Sequence, residues 1–157
     1  MTSSSSHKQL VDPVQARLGV PDINVWLALA AHEHPHHTLA RRWWRQHEGR
    51  IAFLRLSQLG LLRLMTTAAA MDGKPLTTDE AWLVYDRFFD DVRVTFVAEP
   101  SDVEEQFRER AVGQLASPKV WADAWMLAQA SAAGGVLVTF DKALAARGAH
   151  CLLPKRG

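Results

Sequence analysis

The sequence predicts an α/β fold, a mostly parallel sheet with helices on both faces. Three observations carry that expectation. Short apolar runs alternate with longer segments at helical spacing, in the order β-α-α-β-α-α-β-α-α-β-α-β. The clearest strand, Val136–Phe140, is continuously apolar and partly β-branched, the mark of a strand covered on both faces. At 157 residues the chain is long enough to bury one full core.

Taken in order, residues 1–16 read as a polar, flexible N-terminal extension, with Val11–Leu18 a short helical lead-in, and 17–157 as a single domain. Leu18–Val20 starts a strand that stops near Pro21, because proline lacks the N–H a sheet interior needs. Ile23–Ala31 follows as a buried helix, so Asp22 sits where the first strand gives way to a helix. His32–His37 is a histidine-dense loop. A zinc reading competes there with a polar loop leading into a helix; Pro35 breaks the run, and no cysteine or spaced acid completes a tetrahedral set. Thr38–His47 is the next helix, with Leu39 and Trp43 inward and Arg41, Arg42 and Arg45 on the other side. That basic side reads as a solvated face before it reads as an RNA contact.

Arg50–Phe53 fits a second strand. Leu56–Thr67 is an apolar helix interrupted by Gly60 and carrying two polar residues, Gln58 and Arg63. Arg63 either snorkels at a rim or points into an acidic pocket. Thr78–Phe89 is a helix capped by Thr77 or Thr78, with Asp79 and Glu80 in its first turn. Val92–Val97 is a third strand, and Ser101–Val112 a helix entered by a Ser101/Glu104 capping box. A central helix from about Trp121 ends at Gly134-Gly135, since glycine accepts the left-handed turn at a helix C-terminus. Val136–Phe140, a short helix at Lys142–Ala146 and a strand at His150–Leu153 complete the chain.

The formal net charge of +1 argues against a large electrostatic footprint, though not against a local one. The single Cys151 excludes an intramolecular disulfide and points to a reducing, cytoplasmic compartment. No apolar run reaches membrane-spanning length, so no membrane association is expected.

Three aspartates fall at one edge of this sheet. Asp22 follows the first strand and Asp141 the fourth. Asp123 lies in the first turn of the central helix, which carries the chain roughly 15 Å away before the strand brings it back. They admit two readings: a metal site, or a helix N-terminal acid beside solvated strand-end acids. Clustered carboxylates repel unless a cation or protons intervene, and hard oxygen donors favour Mg²⁺ or Mn²⁺. Asn24 and Thr139 stand beside them as neutral groups able to orient carboxylates or a metal-bound water.

The segments PDINVWLAL, QLGLLRLMT, WADAWMLAQA and LVTFDKAL resemble the four signature blocks of PIN-domain ribonucleases, in the right order. The resemblance is closest to the VapC toxins of bacterial toxin–antitoxin pairs, in the subgroup with an H-x-x-H-x-x-A-x-x-W helix, here His34, His37, Ala40 and Trp43. It runs from about Leu18 to about Leu153. It implies an α/β/α sandwich with a parallel sheet of about five strands, and RNA cleavage dependent on Mg²⁺ or Mn²⁺. It also implies a homodimer and inhibition by a VapB-like antitoxin inserted into the cleft. By the same resemblance, Asp22, Asp123 and Asp141 are the catalytic and metal-binding acids. Asn24 and Thr139 match the family's Asn and Ser/Thr, and Arg63 matches the subgroup arginine as a substrate contact. Gln58 stands where many PIN nucleases carry a glutamate. An amide adds no charge, so a single Mg²⁺ is the expected occupancy, and a module that binds RNA or antitoxin without cutting is the alternative. Pro21 departs from the usual aliphatic residue before the first acid.

Overall fold

A computed structural model describes residues 17–156. The N-terminal extension, and all but the last two residues of its proposed helical lead-in, lie outside these; Leu18 already belongs to the first strand. The strands are β1 (Leu18–Pro21), β2 (Ile51–Phe53), β3 (Val94–Phe96), β4 (Gly135–Thr139) and β5 (His150–Cys151). The helices are α1 (Ile23–Ala30), α2 (His37–Gln46), α3 (Arg55–Met65), α4 (Thr78–Phe88), α5 (Val103–Ala111), α6 (Pro118–Ala132) and α7 (Lys142–Ala145). The order of elements is the one the sequence predicts.

All four strand pairings are parallel, and the sheet order is β3-β2-β1-β4-β5. From the central β1 the chain builds first to one side and then to the other. The β1/β4 boundary is therefore the topological switch point, where ligands of open α/β sheets bind beyond the strand ends. Pro21 pairs with Val138, which sets Asp22 beside Thr139.

The pleat sorts side chains onto two cores. Ile51, Phe53 and Val138 join Trp26, Trp43, Leu61 and Tyr85 on the α1–α4 face. Ala52, Leu54 and Leu137 join Met126, Leu127 and Leu144 on the α6 face. Trp26 stacks on Phe53 with ring centroids 3.6 Å apart and planes 9° from parallel.

Several local expectations shift. Helix α6 begins at Pro118, whose fixed φ suits the first helical position, so Asp123 lies in the second turn rather than the first. Gly134 takes the left-handed turn at φ 73°, but Gly135 belongs to β4. A Cβ there would meet the Leu18 carbonyl oxygen at 2.7 Å, so glycine is needed for close strand approach. Helix α3 runs unbroken through Gly60, where a Cβ would fall 2.4 Å from Ile23 Cδ1. The glycine lets α3 seat on α1. The Ser101/Glu104 capping box does not form: α5 starts at Val103, and Glu104 pairs with Arg108 at 3.3 Å instead. Strand β3 is shorter than predicted, since Val92 is 95% exposed. Strand β5 is confined to His150–Cys151. Thr77 caps α4 through the Glu80 N–H at 3.2 Å. Among the described residues, no helix is long and apolar enough to cross a membrane.

Candidate active site

The site is assembled at the β1/β4 switch point. Asp22 terminates β1 and caps α1, its Oδ1 accepting the Ile23 N–H at 2.7 Å. Its backbone N–H donates to the Val138 carbonyl at 2.8 Å, fixing the residue to β4. Thr139, the last residue of β4, is buried and joins two acids. Its hydroxyl donates to Asp22 Oδ2 at 3.1 Å and accepts the Asp141 N–H at 3.0 Å. Asp141 caps α7, its Oδ1 accepting the Ala143 N–H at 2.9 Å. Asp123 approaches from α6, half-buried.

The carboxylates are electrostatically coupled but differ in environment. Burial pushes Asp22 above its ordinary carboxyl range, against its hydrogen bonds, and the charge of Asp141 adds to the rise. Asp123 is likewise raised, first by burial and then by the charges of Asp22 and Asp141. Asp141 moves the other way, held low chiefly by Lys119, whose Nζ lies 2.9 Å from its Oδ2. Lys119 is raised in turn by that contact, and it also feels Asp123 and Asp22. It is thus the cation of the acidic cluster, and the sequence reading passed it over. Its signal was present: Lys119 is four residues before Asp123 on α6, one turn away on the same face.

Among the described residues, no hydrogen bond links the side chains of the remaining predicted residues to these acids. Asn24 is exposed in the first turn of α1. Gln58 is 6% exposed and engaged within its own region, where the Arg55 guanidinium donates to its Oε1 and the Tyr85 hydroxyl bonds it. Arg55 also lies over the Phe96 ring, 4.7 Å from its centroid. Arg63 is exposed on α3, and its carbonyl accepts the Thr66 and Thr67 hydroxyls.

The donor set suits a hard divalent cation in kind. It offers carboxylate oxygens, two of them on groups whose ionised form is disfavoured and would be favoured by an added positive charge. Among the described residues, however, no three His, Cys, Asp or Glu side chains converge closely enough to hold a metal. Asp141 is turned onto Lys119. The residues that would hold an ion are Asp22 and Asp123, beside Asp141.

A parallel sheet in this order with three acids at its switch point defines the class, and sequence comparison agrees with it. The PIN domain profile matches residues 20–149. The chain belongs to the PIN-domain family, in its VapC branch. Ribonuclease VapC41 of Mycobacterium tuberculosis, found in the same form in strains H37Rv and CDC 1551, is 44% identical over 128 residues, covering 78% of this chain and 88% of the relative. The crystal structure of Mycobacterium tuberculosis VapC20, described as a Sarcin-Ricin loop cleaving toxin, superposes with a TM-score of 0.63. That match covers 87% of this chain and 99% of VapC20 at 19% identity, a likeness of fold.

Proposed function

We propose that the protein is a toxin endoribonuclease that hydrolyses RNA phosphodiesters at the Asp22–Asp123–Asp141 site. The observation that carries this reading is the joining of Asp22 and Asp141 through the Thr139 hydroxyl at the switch point of a VapC-type PIN fold, with Asp123 close enough to feel both charges. A relative with 44% identity is named a ribonuclease. A bound Mg²⁺ or Mn²⁺ supplies an activated water and neutralises charge at the phosphate.

The protein's own residues supply the positioning. Asp22 and Asp123 would hold the ion. Thr139 holds Asp22 through its hydroxyl and keeps the Asp141 backbone in register. Lys119 neutralises Asp141, and its largely exposed ammonium would offer a cation to a phosphate at the acids. With Gln58 committed to Arg55 and Tyr85, one ion is the preferred occupancy.

The VapC affiliation supports three further parts of the reading. A VapB-like antitoxin restrains the enzyme, the active species is a homodimer, and the protein acts in the cytoplasm. The direct test is to offer matched RNA and DNA oligonucleotides to the purified protein with Mg²⁺, Mn²⁺ or EDTA. Metal-dependent scission of the RNA alone supports the proposal. Binding of RNA without scission in any metal would favour a non-cleaving module.

A further inference from the structure

Helix α2 carries three arginines, Arg41, Arg42 and Arg45, and no acid between His37 and Gln46. The neighbouring acids in sequence, Glu33 and Glu48, lie outside it at its two ends. Among the described residues these three guanidiniums take part in no ion pair; the pairs formed are Arg93–Asp91, Arg108–Glu104 and Lys119–Asp141. Arg93 shows what a committed arginine looks like here. It is bound to Asp91 and donates to the Trp44 and His47 carbonyls at the end of α2. By contrast, Arg41, Arg42 and Arg45 line an open groove of about 460 Å³ along the helix. A concentrated charge of +3 on a chain of net +1 is a local field that no ion pair among the described residues balances.

An aromatic contact brings the N-terminal end of α2 next to the acidic site. Phe140 lies between Thr139 and Asp141 in sequence, and its ring centroid is 4.6 Å from that of His36. His36 is the residue that caps α2. Phe140, next to Asp141 in sequence, thus sets the N-terminal end of α2 beside the acidic site, and Arg41 and Arg45 follow along that helix. From His36 to Arg45 the helix advances only about 14 Å. Both rings are half-buried; Phe140 also packs against the α1–α4 core, and its ring centroid is 6.3 Å from that of His34.

We infer that this strip is the track on which the RNA strand lies as it leaves the carboxylate site. Arg41, Arg42 and Arg45 hold its phosphates, and Phe140 with His36 stacks an unpaired base next to the cleaved bond. Unpaired guanidiniums match phosphate oxygens in charge and geometry, and an aromatic step beside them is how single strands are gripped without a base code. The inference rests on the endoribonuclease reading for the identity of the strand, but binding and cleavage are separate measurements.

The test is equilibrium binding of a labelled single-stranded RNA oligonucleotide in EDTA, where no cleavage occurs, as a function of salt. Loss of two phosphate contacts in Arg41→Ala/Arg45→Ala should make the slope of log K against log salt shallower by about 1.4. Arg41→Lys/Arg45→Lys should keep the slope, since it keeps the charges. Arg108→Ala, on α5, should leave it unchanged. Phe140→Leu keeps apolar volume but removes the ring, and should weaken binding about fivefold or more. An unaltered slope in a folded Arg41→Ala/Arg45→Ala protein overturns the track, as does a wild-type protein that binds no RNA. So does a variant that keeps the RNA slope but loses its hold on polyglutamate, which would give the face to an acidic protein partner. If the wild type cleaves RNA with Mg²⁺ yet the slope stays fixed, the nuclease reading stands and the track falls. If the slope drops but no metal supports cleavage, the track stands and the nuclease reading falls.

Discussion

The Thr139 hydroxyl donates to Asp22 Oδ2 at 3.1 Å across 117 positions of sequence, and the same oxygen accepts the Asp141 N–H at 3.0 Å. One side chain thereby couples two of the three acids. Thr139→Val keeps the shape and removes both bonds. It is expected to lower cleavage or metal affinity by about 10–100-fold with little loss of fold, whereas Thr139→Ser retains most of both. Metal titration of the cleavage rate distinguishes them; equal behaviour of the two variants would refute the coupling.

Asp22 and Asp123 both carry folded-state pKa values above the ordinary 3.8. The native state therefore holds these protons more tightly than the unfolded chain. The metal-free protein should gain stability from these two groups as pH falls from their raised values toward 3.8, and lose it as pH rises back through that window. Asp141, held low by Lys119, contributes in the opposite sense: its stabilisation is present above 3.8 and disappears as pH falls through its lowered value. Asp22→Asn should then raise the Tm of the metal-free protein at pH 7 by a few degrees, on the order of the shift a single relieved charge produces in a domain of this size. Asparagine can still cap α1. A lower Tm at pH 7, measured in EDTA, would contradict the assignment of Asp22 as a destabilised carboxylate.

Lys119 is exposed, with 69% of its side chain open to solvent, so its pair with Asp141 is worth little to the fold. Lys119→Met should lower Tm in EDTA by no more than about 3 °C. With Mg²⁺ present the difference should shrink, because the ion takes over the neutralisation of the acids. Calorimetry of both proteins with and without Mg²⁺ checks this. A Tm deficit that grows on adding the metal would mean that Lys119 supports the loaded site rather than substituting for its cation.

Gly60 leaves room for Ile23, the residue that follows Asp22. Gly60→Ala forces its Cβ against the Ile23 side chain, with atoms at 2.4, 2.8 and 3.0 Å. Overpacking of this kind costs about 1–3 kcal/mol. Ile23→Val/Gly60→Ala, which removes Cδ1, should recover part of it, and denaturant titration of the two single variants and the double variant measures the coupling. Simple additivity would place the strain elsewhere.

The fold was largely legible because the longest strand is a nearly continuous apolar run and the longer helices carry apolar residues at helical spacing, which ordered the twelve elements of the described residues. Asp22 and Asp141 were legible because a strand end followed by a helix start confines a residue to the carboxyl edge. What escaped was set by tertiary placement. The start of α6 was missed by about one turn because the exposed Pro118-Lys119 pair reads as loop, and Lys119 was lost with it. Gln58 is a site candidate by its matched position. Its amide also bonds Arg55, three residues before it on α3, and Tyr85 of α4, and the second of these partners no local spacing announces. Ser101 had the right neighbour for a cap, yet Glu104 found Arg108 one turn along the same helix.

The central claim is that Asp22 belongs to a metal-dependent centre that cuts RNA. The most direct measurement is incubation of total bacterial RNA with the purified protein in Mg²⁺, Mn²⁺ and EDTA, beside Asp22→Asn. Discrete fragments that require the metal and vanish with Asp22→Asn are predicted, and mapping their ends would identify the target. Equal fragmentation by the folded Asp22→Asn protein, or none by the wild type in either metal, would contradict it.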